Sequence, residues 1–480
     1  MLFNSISFLL FFPVVCLLYF SIPSERVRLR NGLLLLASYW FYMNWEPVYA
    51  LLLLLSTLVT WAAALGIERG AGGKRQSFGR RWWLVGSIVA NLAILFLFKY
   101  YNFLTGVLTD VLTATGLSVS MPRFHLLLPV GISFYTFQAL GYTIDVYRGA
   151  VRAERDLPTY ALFVSFFPQL VAGPIERSGR LLPQFREQHH VTYGNVTSGL
   201  RMMAWGYFMK LVVADRCGLF VDAVFDNVTM HNGGNCLLAS LLFPFQIYGD
   251  FAGYSLIAIG TARVLGFRLM ENFHSPYLSC SVGEFWHRWH VSLSTWFRDY
   301  VYIPLGGNRV GRPRQYVNLL VTFTVSGLWH GANWTFLCWG AFHGLLLCME
   351  KALGIGQQRY KGLSWLSHLA LTFLLVSMGW VLFRSASLSD ALTVYTSILT
   401  NLSVPDLSFA MFTEICTALV AIAVLMGSEV MEETGICSRQ SHRPHPIYRR
   451  TVRLSAVVVQ VASILLFGVL GGDQFIYFQF

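Results

Sequence analysis

The stretch Val48-Tyr-Ala-Leu-Leu-Leu-Leu-Leu-Ser-Thr-Leu-Val-Thr-Trp-Ala-Ala-Ala-Leu-Gly-Ile67 carries no charged side chain. A run of about 20 apolar residues wound as a helix crosses the hydrocarbon core of a bilayer. Lipid offers the backbone no hydrogen-bond partner, so a single run of this kind crosses as a helix. Glu46-Pro47 on one side and Glu68-Arg69 on the other mark the water-facing ends.

The rest of the chain has the same character. Of its 480 residues, 55% are hydrophobic and 12% charged, and mean hydropathy is +0.54. A soluble domain carries about 25% charged residues. These figures exclude a soluble fold, a disordered chain, collagen and a coiled coil. The 38 Phe, 22 Tyr and 14 Trp suit two lipid–water interfaces. The reading is an all-α polytopic membrane protein of about 11–12 transmembrane helices, with re-entrant and interfacial helices. No repeat of 20–50 residues, no related halves and no linker is evident, so residues 1–480 read as one integral domain with a motif-bearing core at about 126–350.

The net charge of +11 sits in short loops between apolar runs, the distribution of the positive-inside rule rather than of a nucleic-acid footprint. Arg26, Arg28 and Arg30 form one such loop; Arg69, Lys74, Arg75, Arg80 and Arg81 a second; Arg148, Arg152 and Arg155 a third; and the run Arg439–Arg453 a fourth. Counting spans between them places every basic loop in the cytoplasm and both termini outside, in the inner membrane. The first run, Ser5 to Pro23, has no positive residue before it and reads as a retained span, not a signal peptide. The second, third and fourth spans are expected at 32–45, 48–67 and 82–98, with a weakly charged outer stretch to His125 and a return span at 126–144. Further spans are expected near 196–214, 236–266, 316–350 as a pair, 364–383, 408–428 and 454–471. Leu157–Gly173 is broken by Pro158 and Pro168 between basic loops and reads as a re-entrant hairpin enclosed by protein. Glu271–Arg314 is too charged for lipid. The eight cysteines contain no CxxC pair, which speaks against a zinc site or a disulfide framework.

Ionisable groups inside apolar runs are costly and mark candidate sites. They are Asp250, His330 and His343, joined by the segment Glu284-Phe-Trp-His-Arg-Trp-His-Val-Ser-Leu-Ser294. His330, flanked by Trp329 and Gly331, has the chemistry of a general base, since burial keeps an imidazole neutral and able to accept a proton. A core histidine bridging two backbone groups is the alternative, and His343 carries the same ambiguity. Residues 284–299 read as a helix with Glu284, His287 and His290 on one face. A metal site there lacks HExxH spacing and a further ligand; an interfacial helix with Arg288, Arg298 and Asp299 on its polar face is the other reading.

Five segments, in order, resemble the membrane-bound O-acyltransferase (MBOAT) family, in its bacterial branch that modifies envelope polymers. They are Phe166-Phe-Pro-Gln-Leu-Val-Ala-Gly-Pro-Ile-Glu-Arg177, Tyr248-Gly-Asp-Phe-Ala-Gly-Tyr-Ser255, Trp289-His-Val-Ser-Leu-Ser-Thr-Trp-Phe-Arg-Asp-Tyr300, Ile303-Pro-Leu-Gly-Gly-Asn-Arg309 and Gly327-Leu-Trp-His-Gly331. The aromatic tail Phe475-Ile-Tyr-Phe-Gln-Phe480 points to the polysaccharide O-acetylation members. Ala252 and Leu256 stand where the family pattern commonly has serine and a second acid, leaving Asp250 the single acid of its motif. His287 stands where arginine is frequent.

The resemblance implies a fold thinned at its centre, with His330 as the active-site histidine and His290 as the second. Asp250, Trp329, Arg298 and Asp299 are the expected substrate-binding residues, and no metal or tightly bound cofactor is expected. It implies acyl transfer, expected to be acetyl, from a cytoplasmic thioester, acetyl-CoA or an acyl carrier protein, to a hydroxyl on the outer side. A periplasmic or extracellular esterase-like partner would complete delivery to the polymer. The alternatives are D-alanyl or another acyl transfer to a cell-wall polymer and, from a different class, a proton-coupled transporter or flippase. The 284–314 region bears Arg288, Arg298, Arg309, Arg312 and Arg314 against Glu284 and Asp299, a basic surface suited to an acidic donor.

Overall fold

Apolar runs that cannot hydrate their backbone become helices, and no strand occurs among the described residues. The computed structural model describes the chain except residues 71–73, 118–120, 125–126, 172, 357–359, 436–445, 470–474 and 477–480, and the side chains of 74–77 and 446–454. The side chains of Lys74 and Arg75, those of the basic run Arg439–Arg453, and tail positions 477–480 therefore lie outside the described residues.

Two compact units are present, Met1–Leu200 with Ala258–Met270, and Arg201–Ile257 with Glu271–Phe480. The first begins with α1 (Ile6–Ser21), α2 (Val27–Met43) and α3 (Tyr49–Arg69). α4 (Lys74–Leu95) runs through a π-helical turn, Phe96–Tyr100, into α5 (Tyr101–Ala114). The helix thus continues past Phe98, because nothing in the apolar stretch beyond it breaks a helix before the Thr115-Gly116 turn. α6 (Ile132–Arg148) packs on α3 and α4.

The segment from Leu157 is broken at Phe166, and residues 159–171 are buried. Asp156 caps α7 (Leu157–Ser165) by accepting a hydrogen bond from the Thr159 N–H, and Pro158 sits in the first turn, where its missing N–H costs nothing. The chain leaves the helix at Phe166 and re-enters as α8 (Phe167–Leu170), so Pro168 again falls in a first turn. The backbone groups exposed by this break are met by side chains. Ser38 Oγ accepts from the Phe167 N–H at 3.1 Å, while Gln138 and Gln169 both donate to the Phe163 carbonyl. A short helix α9 (Ser178–Leu181) follows.

α10 (Tyr193–Phe208) passes through a π turn, Met209–Ala214, into α11 (Asp215–Phe225), and α12 (Gly233–Val264) carries the Tyr248–Ser255 motif. The second unit continues with α13 (Val282–Arg288), α14 (Val291–Phe297), α15 (Arg312–His330), α16 (Trp334–Leu353), α17 (Gly362–Arg384), α18 (Leu388–Thr400), α19 (Phe409–Glu433) and α20 (Pro446–Phe467). Its core is dominated by aromatic rings, among them Phe243, Tyr248, Phe285, Trp289, Trp339 and Trp380.

Each stretch read as a span holds a helix. Among the described residues, six are long and apolar enough to cross a membrane: Tyr49–Arg69, Phe78–Ala114, Gly233–Val264, Trp334–Leu353, Gly362–Arg384 and Phe409–Glu433. The amphipathic α18 was not among the expected elements.

Candidate active site

The sequence reading of 284–299 as one helix needs correction. α13 ends at Arg288 and α14 starts at Val291; His290 between them adopts φ 43°, a left-handed conformation unusual for a non-glycine residue. Tertiary backbone bonds override the local helical tendency: His274 N–H donates to the Arg288 carbonyl and Val291 N–H to the Asn272 carbonyl, both at 2.9 Å. Glu284, His287 and His290 therefore do not share one helix face, and Glu284 instead pairs with Arg288, which also holds Glu433.

The kink turns His290 inward, where it is 1% exposed. Its Nδ1 lies 3.0 Å from Asn272 Oδ1, which also accepts from the Ser292 N–H and hydroxyl. The carboxamide oxygen is an acceptor, so Nδ1 carries the proton and Nε2 the lone pair. Phe251 meets the ring edge-on at 4.6 Å. Burial lowers the imidazolium pKa of His290, favouring the neutral ring.

His330 is positioned by a helical hairpin. It is the last residue of α15, with Gly331 at the C-cap, and Asn333 caps α16 by accepting from the Thr335 N–H. The two helices approach at glycines: a Cβ on Gly327 would lie 2.2 Å from the Phe336 carbonyl oxygen, and one on Gly340 2.3 Å from that of Phe323. The His330 ring is walled by Trp329 at 4.9 Å, Trp339 at 5.0 Å and Phe383 at 5.4 Å. Trp329 also reaches the His290 ring at 6.4 Å. One indole thus touches both histidines that the sequence singles out.

The other expected residues are placed differently. Asp250 accepts from Lys210 Nζ at 2.6 Å and from the Ile476 N–H at 2.7 Å, and Lys210 also holds Asp215 at 2.7 Å. These three side chains are at most 7% exposed, forming a buried cation between two carboxylates. Arg298 and Asp299 pair with each other at 2.8 Å on a π turn, with Arg298 turned to the surface. His343 is buried on α16 against Trp286 and Trp339.

Sequence reasoning missed Asn272, which orients His290, and Trp339 and Phe383, which wall His330. It also passed over Lys210, although a lone lysine in an apolar run is the signal that flagged Asp250.

Comparison with known proteins adds an independent finding. The sequence profile described as MBOAT, membrane-bound O-acyltransferase family, matches residues 150–392. A probable alginate O-acetylase AlgI of Pseudomonas putida is 39% identical over 500 residues, covering 100% of both chains. A peptidoglycan O-acetyltransferase of Helicobacter pylori is 35% identical over 433 residues, 82% of this chain and 79% of that protein. A teichoic acid D-alanyltransferase of Bacillus subtilis is 27% identical over 331 residues, 64% of this chain and 79% of that one.

Proposed function

The chain belongs to the membrane-bound O-acyltransferase family, and we propose that it acetylates hydroxyls of a cell-envelope polysaccharide with His330 as general base. It is a multi-pass membrane O-acyltransferase; the acceptor class is drawn from the relatives named as a probable alginate O-acetylase and a peptidoglycan O-acetyltransferase. D-alanyl transfer is the weaker reading, because the Bacillus subtilis D-alanyltransferase covers 64% of the chain, against full coverage by the alginate relative.

The observation that carries the reading is the aromatic-walled His330 joined through Trp329 to the oriented, neutral His290. In the proposed reaction His330 takes the proton of the attacking hydroxyl as its oxygen adds to the thioester carbonyl. The tetrahedral intermediate collapses with cleavage of the C–S bond, and His330 returns the proton to the departing thiolate. His290 helps to orient His330 and the reactants. The donor is acetyl-CoA or an acetylated carrier protein, reaching the site from the cytoplasm. The protein sits in the inner membrane with both termini outward, and an esterase-like partner outside completes delivery.

The test offers the purified protein in liposomes an acetyl and a D-alanyl thioester of the same carrier, with alginate or peptidoglycan fragments as acceptor. Acetyl ester formation is expected; transfer of D-alanine alone would overturn the assignment.

A further inference from the structure

α13 has 7 residues, too few to hold a helix without outside support. Its first-turn N–H groups lack partners within the helix, and neighbouring side chains supply them. Ser281 Oγ accepts from the Glu284 N–H at 3.0 Å. The two carboxylate oxygens of Glu350, in the last turn of α16, accept from the Val282 N–H at 2.5 Å and the Gly283 N–H at 2.8 Å. One turn on, Trp286 packs against Phe323 of α15 and Trp339 of α16, at 5.2 and 5.5 Å between ring centroids. Past the bend at His290, the turn at 306–309 returns to the same hairpin. Asn318 on α15 is 1% exposed and donates to the Gly307 carbonyl at 3.4 Å, and Gln315 donates to the Asn308 carbonyl at 3.1 Å.

We propose that Glu350 is a positioning residue for His290, holding the segment that bears it at a fixed place on the α15–α16 hairpin whose tip bears His330. This rests on the reading of the chain as an acyltransferase that uses both histidines. Packing of Trp286 sets how closely α13 approaches the hairpin, but apolar contact has no direction and lets a helix slide or turn about its axis. Two hydrogen bonds to one carboxylate remove that latitude, since each prefers an N–H···O angle above about 150°. α13 spans about 10 Å at 1.5 Å per residue, so a shift at its start is passed to Trp289 and His290 at its end. A displacement of about 1 Å at a reacting centre costs about 100-fold in rate. Glu350 lies roughly 24 Å along α16 from Trp334, at the end of the hairpin remote from His330, and so acts on the site through α13. A carboxylate that merely capped α13 makes a different forecast: its loss would lower activity equally whichever residue stands at position 290.

The test compares Glu350→Ala and Glu350→Gln in reconstituted protein, each in the wild-type and the His290→Ala background, with acetyl-CoA and an acetylated carrier protein as donors. Glu350→Ala is expected to lower kcat about 10–100-fold, with donor and acceptor KM within about twofold of wild type. Glu350→Gln keeps an amide oxygen that accepts from the same N–H groups and should lose less than about fivefold. In the His290→Ala background the further loss from Glu350→Ala is about threefold or less, because the residue it positions is gone. Hydrogen exchange supplies a readout that needs no reaction. In Glu350→Ala the amides of 282–290 should exchange about tenfold faster or more, while those of α15 keep their protection. A kcat of Glu350→Ala within about twofold of wild type, an equal fall in both backgrounds, or unchanged exchange over 282–290 overturns the proposal. If the wild type transfers no acetyl group from either donor, the acyltransfer reading itself fails, and exchange over 282–290 still decides whether Glu350 fixes the segment.

Discussion

An imidazole works as a base only where one nitrogen keeps its lone pair, and at His290 the Asn272 carboxamide decides which. Asn272→Ala removes that acceptor and is expected to lower kcat about 10–100-fold, in line with a misaligned acid–base group. Donor KM should stay near the wild-type value, and a steady-state assay over donor concentration reads both. The buried Lys210–Asp250 and Lys210–Asp215 pairs set a second expectation. Lys210→Met strands two carboxylates away from water and is expected to cost about 3–5 kcal/mol of stability. Thermal unfolding in detergent checks this, and Lys210→Met with Asp250→Asn should recover part of the loss. The histidines were legible as ionisable groups in apolar runs, and the resemblance raised His330 and His290 above His343. Asn272 was not legible, because it lies eighteen residues from His290 in a segment with no periodic pattern.

Elements followed the sequence wherever hydrophobic runs were long. Val48–Ile67 lies within Val48 and the helix Tyr49–Arg69, and the 316–350 pair became the hairpin of Arg312–His330 and Trp334–Leu353. The departures came where tertiary contacts outweighed local tendency. Residues 284–299 look helical throughout, yet the backbone bonds of Asn272 and His274 split them at His290. The break at Phe166 was readable from Pro168, but the side chains that make it tolerable, Ser38, Gln138 and Gln169, were not. In the loop after this break Glu176 is 2% exposed and accepts from the Met270 N–H. Burial raises its pKa to about 7 from the usual 4.5. A folded-state pKa above the unfolded one means the contribution to stability is full below pH 4.5 and is lost as pH rises through about 7. Glu176→Gln should flatten the fall in melting temperature between these limits. An equally steep fall in the variant would remove Glu176 as its source.

For the whole molecule, the sequence established helical class and membrane residence, because both follow from composition and run length. The pairing of spans did not follow, since apolar helices offer many equivalent faces to one another. Arg309, Arg312 and Arg314 are exposed at and before the start of α15, the opposite end of that helix from His330. Reversing Arg312 and Arg314 to glutamate is expected to raise the KM of an acidic donor severalfold, with kcat kept and a weaker dependence on salt. Unchanged donor kinetics would leave these arginines only their orienting role. The central claim, that His330 performs the transfer chemistry, is tested most directly by single-turnover acetyl transfer from a labelled thioester to purified, reconstituted protein and acceptor. His330→Ala, inserted and as thermally stable as wild type, is expected to give no transfer above background; retention of more than a few per cent of wild-type turnover would contradict the account.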